Sequence, residues 1–365
     1  MRMFLISNMY PSSDSPGYGI FVKNVAEGLR EHGIEMSRLA VITGRSGSLW
    51  GKIAKYAKFY RDVMAGFFSD YDFIYIHFPN QVMPLISLLY KIRKAKIILN
   101  FHGEDLLYSK EGFHKWLGET TRYFSKKYAA AIVVPSRYFA SLTADRQFSS
   151  LKKIIVSASG GINENYFYPK SADTLKSNGR PIHIGYVGRF EPGKGILEFL
   201  EVACLLKEKN IDFHATIVGY GSLMNQTLEY ISGHNLGGKV SLIPGLPQEK
   251  LADEYRKFDL LVFLSSRSEE SLGLTGIEAM ACGTPVIGSN VGGIASYLVD
   301  RKNGYLIEDI RDTEKLVSVI QEYSEASSEF RKSMYDEAVK TGEKYFSKTV
   351  CTQLASDLKN SLGGD

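Results

Sequence analysis

Eight short, largely apolar runs recur along the chain, at residues 4–6, 73–76, 97–99, 131–134, 182–187, 215–218, 260–264 and 285–287. Between them lie longer stretches, such as 196–209, with apolar residues at helical spacing. A strand buried on one face alternates apolar and polar residues. A strand buried on both faces reads as an unbroken apolar run, and the helices between such strands are crossovers. The pattern therefore predicts an α/β protein built on doubly wound parallel sheets.

One interruption divides the series. Residues 169–181 (PKSADTLKSNGRP) are polar and carry Pro, Gly, Ser and Asn, the composition of a linker. With roughly 100–200 residues per domain, a chain of 365 holds two. The expected division is an N-terminal Rossmann-like domain at 1–170 and a C-terminal one at 171–344. A weakly amphipathic helix at 345–365 would dock on one of them.

Charge and cysteine usage narrow the function classes. The net charge is +4, from 44 basic and 40 acidic residues. That is too mild a balance to imply nucleic acid, but it allows an anionic ligand or an anionic membrane surface. The three cysteines, Cys204, Cys282 and Cys351, lie far apart, which fits a reducing compartment and excludes a disulfide scaffold. The opening residues lack the apolar core of a signal peptide. The longest apolar candidate, 82–90, contains Pro84 and runs into Lys91, Arg93, Lys94 and Lys96. A cytoplasmic protein, with contact to the inner face of the membrane as a further option, is the expectation.

Two segments carry chemistry. Residues 185–195 (GYVGRFEPGKG) follow a predicted strand and precede a helix beginning near Ile196. Glycines let the backbone approach a ligand, a helix N-terminus favours anions, and Arg189 and Lys194 add two cations. The spacing from Gly188 to Gly193 and Lys194 is P-loop-like. However, Gly195 stands where a P-loop needs the hydroxyl that holds Mg²⁺. A diphosphate site neutralised by side chains remains. A surface turn with solvated charges fits this segment taken alone.

The second segment, 269–285 (EESLGLTGIEAMACGTP), follows the run at 260–264. Gly273 and Gly276 free the backbone where a helix starts, so the N–H groups from about Leu272 to Thr275 stand beside the Glu270 carboxylate. Such donors suit phosphate, and carboxylates suit sugar hydroxyls. Acidic residues at a helix start also stabilise its dipole, which accounts for Glu269 and Glu270 but poorly for Glu278, inside the helix.

The run from Glu270 through seven residues to Glu278, continuing Ala-Met-Ala-Cys-Gly-Thr-Pro, resembles the E-x7-E signature of the retaining glycosyltransferases of family 4. Further segments are similar to that family in order. They are PGYGIF at 16–21, FHGED at 101–105, GGIN at 160–163 with FYP at 167–169, and VGYG at 218–221. Gly188-Arg189 with Gly193-Lys194-Gly195, and Gly292-Gly293 with Asn303-Gly304, complete the set. The similarity covers most of the chain, and the C-terminal motifs are specific in combination.

The resemblance implies a GT-B architecture, with two Rossmann-like domains facing a cleft, and a nucleotide-sugar donor, expected to be a UDP-sugar, held mainly by the second. It implies that Arg189 and Lys194 hold the diphosphate and that Glu270 meets donor-sugar hydroxyls. It assigns backbone amides from Ser271, Leu272, Gly273 and Leu274 to the phosphates and sugar, and Glu278 to the ribose. Gly17, Gly19 and Gly188 would line the donor, and His102 would sit above the reacting sugar. His102, Glu270, Arg189 and Lys194 are thus the expected catalytic set. Leu272 departs from the Phe common in the family.

The expected reaction is retaining hexosyl transfer to a saccharide or lipid-linked acceptor, in cell-surface polysaccharide or glycolipid synthesis. Breaking the anomeric bond builds negative charge on the leaving phosphate, which Arg189, Lys194 and a helix N-terminus would stabilise without a metal. The D-x-D triplet Asp70-Tyr71-Asp72 precedes a predicted strand rather than following one, so no metal or other cofactor is expected. His77 and His102 have no acidic or Cys partner at ligand spacing.

A non-catalytic nucleotide-sugar-binding paralogue would be expected to lose the cations or Glu270, and here all are present. The near-complete set around Glu270 and Glu278 also argues against a GT-B sugar-nucleotide epimerase. A dinucleotide oxidoreductase fits less well, because Val22 stands at the third glycine position after Gly17 and Gly19.

Residues 52–68 are the candidate membrane contact. Ile53, Tyr56, Tyr60, Val63, Met64 and Phe67 fall on one helical face, with Lys52, Lys55, Lys58 and Arg61 outside it. A basic amphipathic helix with aromatics suits anionic lipid. A crossover helix packed on the first sheet fits the same pattern.

Overall fold

Among the described residues, twelve strands form two parallel sheets, each wound by helices on both faces. In the first unit these are β1 (Arg2–Tyr10), β2 (Glu35–Thr43), β3 (Phe73–His77), β4 (Ile97–Asn100), β5 (Ala131–Val134) and β6 (Ile154–Val156). In the second they are β7 (Ile182–Arg189), β8 (Phe213–Tyr220), β9 (Val240–Ile243), β10 (Leu260–Phe263), β11 (Val286–Ser289) and β12 (Gly304–Ile307). The computed structural model describes every residue except 16, 45–46, 104, 108–110, 146–153, 173–179 and 364–365. The middle of the expected linker, and Pro16 and Glu104 of two quoted motifs, lie outside the described residues.

The strand orders are β2-β1-β3-β4-β5-β6 and β12-β11-β10-β7-β8-β9. Each sheet reverses its winding once, between β1 and β3 and between β7 and β10. Alternate residues of β1 show why its run is unbroken. Phe4 and Ile6 pack into one core with Phe59, Val63 and Phe67. Met3 and Leu5 pack into another with Val22, Leu29, Leu354 and Leu358. Both faces are dry, so both need apolar side chains.

The chain separates into one unit of Met1–Gly161 with Ser347–Asp365, and a second of Ile162–Phe346. The boundary expected at 170/171 is corrected to 161/162, because the segment after it is built into the second unit. The Lys170 N–H donates to the Cys282 carbonyl at 3.1 Å, and the Tyr335 hydroxyl donates to the Lys170 carbonyl at 2.5 Å. The Lys170 ammonium is buried and donates to the Phe258 carbonyl. The helix Ser347–Leu362 completes the first unit: a Cβ on Gly28 would fall 2.3 Å from Cys351 Sγ, so only glycine admits it there.

The helix expected at 52–68 spans Leu49–Phe67, and its apolar face is divided. Phe59, Val63 and Phe67 are core, whereas Leu49, Trp50 and Ile53 are exposed, Trp50 at 79%. No helix of the described residues is long and apolar enough to cross a membrane.

Candidate active site

β7 and β10 are hydrogen-bonded neighbours at the reversal of the second sheet, where the loops leaving their carboxyl ends diverge to opposite faces and leave room for a ligand. The loop after β7 enters the helix Ile196–Glu208, and the loop after β10 enters the helix Leu274–Ala281. Both helices begin on a glycine at φ 76°, Gly195 and Gly273, and neither is capped by a side chain. Added Cβ atoms would lie 2.8 Å from the Leu264 carbonyl oxygen and 2.6 Å from the Phe263 ring. The first-turn N–H groups of such a helix have no partners within it and suit an anion.

A hollow of about 310 Å³ opens between these loops. Of the residues singled out in the sequence, Gly188, Arg189, Lys194, Glu270, Gly273, Leu274 and Glu278 line it. Ser271 and Leu272 lie on the same loop but are not in its lining, and the Leu272 side chain is buried. Gly17, Gly19 and His102 belong to the first unit.

The charged groups around the hollow are not equivalent. Lys194 Nζ is ion-paired with Glu270 Oε2, with both side chains largely buried. The Ser265 hydroxyl donates to the same oxygen at 3.2 Å. The Tyr186 hydroxyl donates to the Lys194 carbonyl at 2.9 Å, and the Gly293 N–H donates to the Glu270 carbonyl at 2.7 Å. Both loops are therefore anchored through their backbones. Arg189 is exposed, and its guanidinium has no ion-pair partner among the described residues. Glu278 accepts a hydrogen bond from the Tyr255 hydroxyl at 3.0 Å, and burial pushes its carboxyl up to about 7.

The wall of the hollow also contains Gly245, Leu246 and Leu251, which sequence reasoning missed, together with Thr275 of the second segment. The first three lie on and beyond the loop after β9, a strand with no continuous apolar run to announce it. Tyr220, quoted only within a motif, ends β8 and stands 66% exposed at the rim.

In the first unit, Gly19 starts the helix Ile20–Glu31, and Gly17 is exposed in the preceding loop. His102 follows β4. Its N–H and that of Gly103 donate to Asp105 Oδ1 at 2.8 and 3.0 Å. Its ring stacks on Phe78 at 4.3 Å, and its Nε2 lies 3.0 Å from Nδ1 of His77, the last residue of β3. Burial holds both rings neutral, His102 down to about 3 and His77 well below its ordinary value.

Asp70 and Asp72 are both paired with Arg2, and the Arg2 N–H donates to Asp72 Oδ2 at 2.7 Å. The triplet thus ties the start of β1 to the turn before β3. Among the described residues, no group of three His, Cys, Asp or Glu side chains is gathered to hold a metal.

Residues 168–341 match the model for glycosyl transferases group 1. The D-inositol 3-phosphate glycosyltransferase of Paenarthrobacter aurescens is 29% identical over 62% of this chain and 55% of its own length. The chain thus spans about half the length of that relative. Sucrose-phosphate synthase from Thermosynechococcus elongatus superposes with a TM-score of 0.76 at 19% identity, covering 100% of both chains. Anabaena HepE, solved in complex with UDP-glucose, superposes with a TM-score of 0.71 at 17% identity, over 98% of this chain and 99% of its own. The match to glycosyl transferases group 1 thus lies within the second unit, on a chain with the GT-B fold.

Proposed function

We propose that this chain is a retaining, metal-independent glycosyltransferase. It moves a sugar from a UDP-sugar to a saccharide or lipid-linked acceptor in cell-surface polysaccharide or glycolipid synthesis. The observation that carries the reading is one hollow with two cations, Arg189 and Lys194, two carboxylates, Glu270 and Glu278, and an uncapped helix start at Gly273. Heterolysis of the anomeric bond leaves a diphosphate anion, and preorganised donors in a water-poor site act most strongly on charge that develops there. Arg189, Lys194 and the Leu274 and Thr275 N–H groups supply them. Glu270 and Glu278 accept from the neutral hydroxyls of sugar and ribose. The choice of UDP is supported by HepE, which was solved with UDP-glucose.

His102 is assigned to the reacting sugar, where a neutral imidazole adds a hydrogen bond without a full charge. The exposed start of the helix Leu49–Phe67, with Lys52 beside Trp50, is assigned to the cytoplasmic membrane surface. The test is thermal melting of the chain with UDP-, GDP- and ADP-glucose, followed by transfer assays with the stabilising donor. A ligand that binds only the folded chain raises its melting point by mass action. Stabilisation by a UDP-sugar and an α-linked product from an α-linked donor are expected. No stabilisation by any nucleotide-sugar, or an inverted product, overturns the corresponding part of the reading.

A further inference from the structure

His77 stands outside every role assigned so far. It ends β3 beside Asn100 of β4, its ring is 1% exposed, and it lies edge-on to Tyr75 at 4.8 Å. Its Nδ1 is 3.0 Å from His102 Nε2, and its own Nε2 is buried without a hydrogen-bond partner among the described residues. A neutral imidazole carries one donor and one acceptor nitrogen, so two neutral rings in contact share a single N–H···N bond. Whichever ring donates, that bond occupies Nε2 of His102. The His102 ring is held flat by Phe78 on one side and lies 4.9 Å from Phe21, so it cannot turn without losing both contacts. Its Nδ1 has no partner among the described residues, and the residue is half-buried rather than sealed.

We infer that His77 is a positioning residue: it occupies Nε2 of His102 and so makes Nδ1 the atom through which His102 meets a ligand hydroxyl. The inference rests on the assignment of His102 to the reacting sugar. An imidazole fixed by a hydrogen bond at one nitrogen presents the other in a set direction, the arrangement that second partners give to ligating histidines.

Nuclear magnetic resonance of the full chain with ¹⁵N-labelled histidine tests it without any variant. A scalar coupling between His77 Nδ1 and His102 Nε2, present before and after UDP-glucose is added, is expected, with the His102 Nδ1 resonance moving on addition. Absence of the coupling, or a ligand response at His102 Nε2, overturns the inference. In transfer assays, His77→Phe is expected to lower kcat on the order of 10²-fold through misplacement of His102, with the donor KM little changed. His77→Asn, whose amide nitrogen stands close to where Nδ1 stood, is expected to restore most of that loss. Equal kcat for wild type and a folded His77→Phe overturns the inference. Failure of the transferase reading would look different: no transfer by the wild type, with the N–N coupling intact.

Discussion

Lys194 and Glu270 are ion-paired, one delivered by the loop after β7 and the other by the loop after β10, the two strands at the reversal of the second sheet. The same two residues are assigned to different parts of the donor, the diphosphate and the sugar. Under that assignment, an arriving diphosphate competes with the Glu270 carboxylate for the three N–H donors of the ammonium.

Lys194→Ala and Arg189→Ala are each expected to lower kcat at saturating donor by about 10²–10³, the cost of losing one preorganised donor to a developing anion. Their stabilities should differ. Arg189 is exposed and has no ion-pair partner among the described residues, so its loss leaves the melting temperature near that of wild type. Lys194→Ala strands the Glu270 carboxylate and lowers it. Near-normal turnover of both variants would remove the diphosphate assignment.

Glu278 predicts a pH dependence with a defined sign. Its folded-state carboxyl lies near 7 against an ordinary 4.5, so the folded chain holds the proton more tightly. Its contribution to stability is therefore present below the ordinary value and lost as pH rises through the folded one. Glu278→Gln should flatten that decline in melting temperature. UDP-glucose binding should run the opposite way in wild type, weakening severalfold from pH 8 to pH 6 as the carboxylate assigned to the ribose protonates, and the variant should lose this slope. Calorimetry across that range checks it, since the sugar-nucleotide diphosphate itself does not titrate there.

His102→Ala should lower kcat strongly while UDP affinity, assigned to the second unit, stays close to that of wild type. Losing a contact made only in the transition state lowers kcat, whereas losing uniform binding raises KM. Calorimetry of UDP and steady-state rates on one preparation separate the two. An unchanged kcat would return His102 to a structural role.

Transfer should survive dialysis against EDTA. The motivation is the cation pair, with Asp70 and Asp72 already committed to Arg2. A strict requirement for added Mg²⁺ or Mn²⁺ would contradict the proposed chemistry.

Co-sedimentation with vesicles rich in anionic lipid should fall when Trp50 and Leu49 are replaced by Ala, and should weaken with salt. Equal binding by the double variant would leave the helix Leu49–Phe67 as a crossover element only.

The eight apolar runs are β1, β3, β4 and β5 of one sheet and β7, β8, β10 and β11 of the other, the interior strands in each case. The four strands without such runs, β2, β6, β9 and β12, are the edges. An edge strand has one neighbour and less cover, and β2 is exposed over Glu35–Arg38. Its side chains need not be apolar, and it leaves no run to read. The site followed the same rule. Loops leaving interior strands, with Arg189, Lys194 and Glu270 in the second unit and His102 in the first, were legible, whereas the Gly245–Leu246 wall beyond β9 was not. His77 was readable as a residue but not as a partner, because its contact with His102 exists only once β3 and β4 are paired.

The return of residues 347–362 to the first unit fixes an order of assembly. The face formed by Val22, Val25 and Leu29 is completed by Leu354 and Leu358, which leave the ribosome only after the whole second unit has done so. The second unit is continuous in sequence, whereas the first cannot complete this face until translation has passed through the second. A nonsense codon anywhere in the terminal helix would therefore strike the half of the molecule that was made earliest.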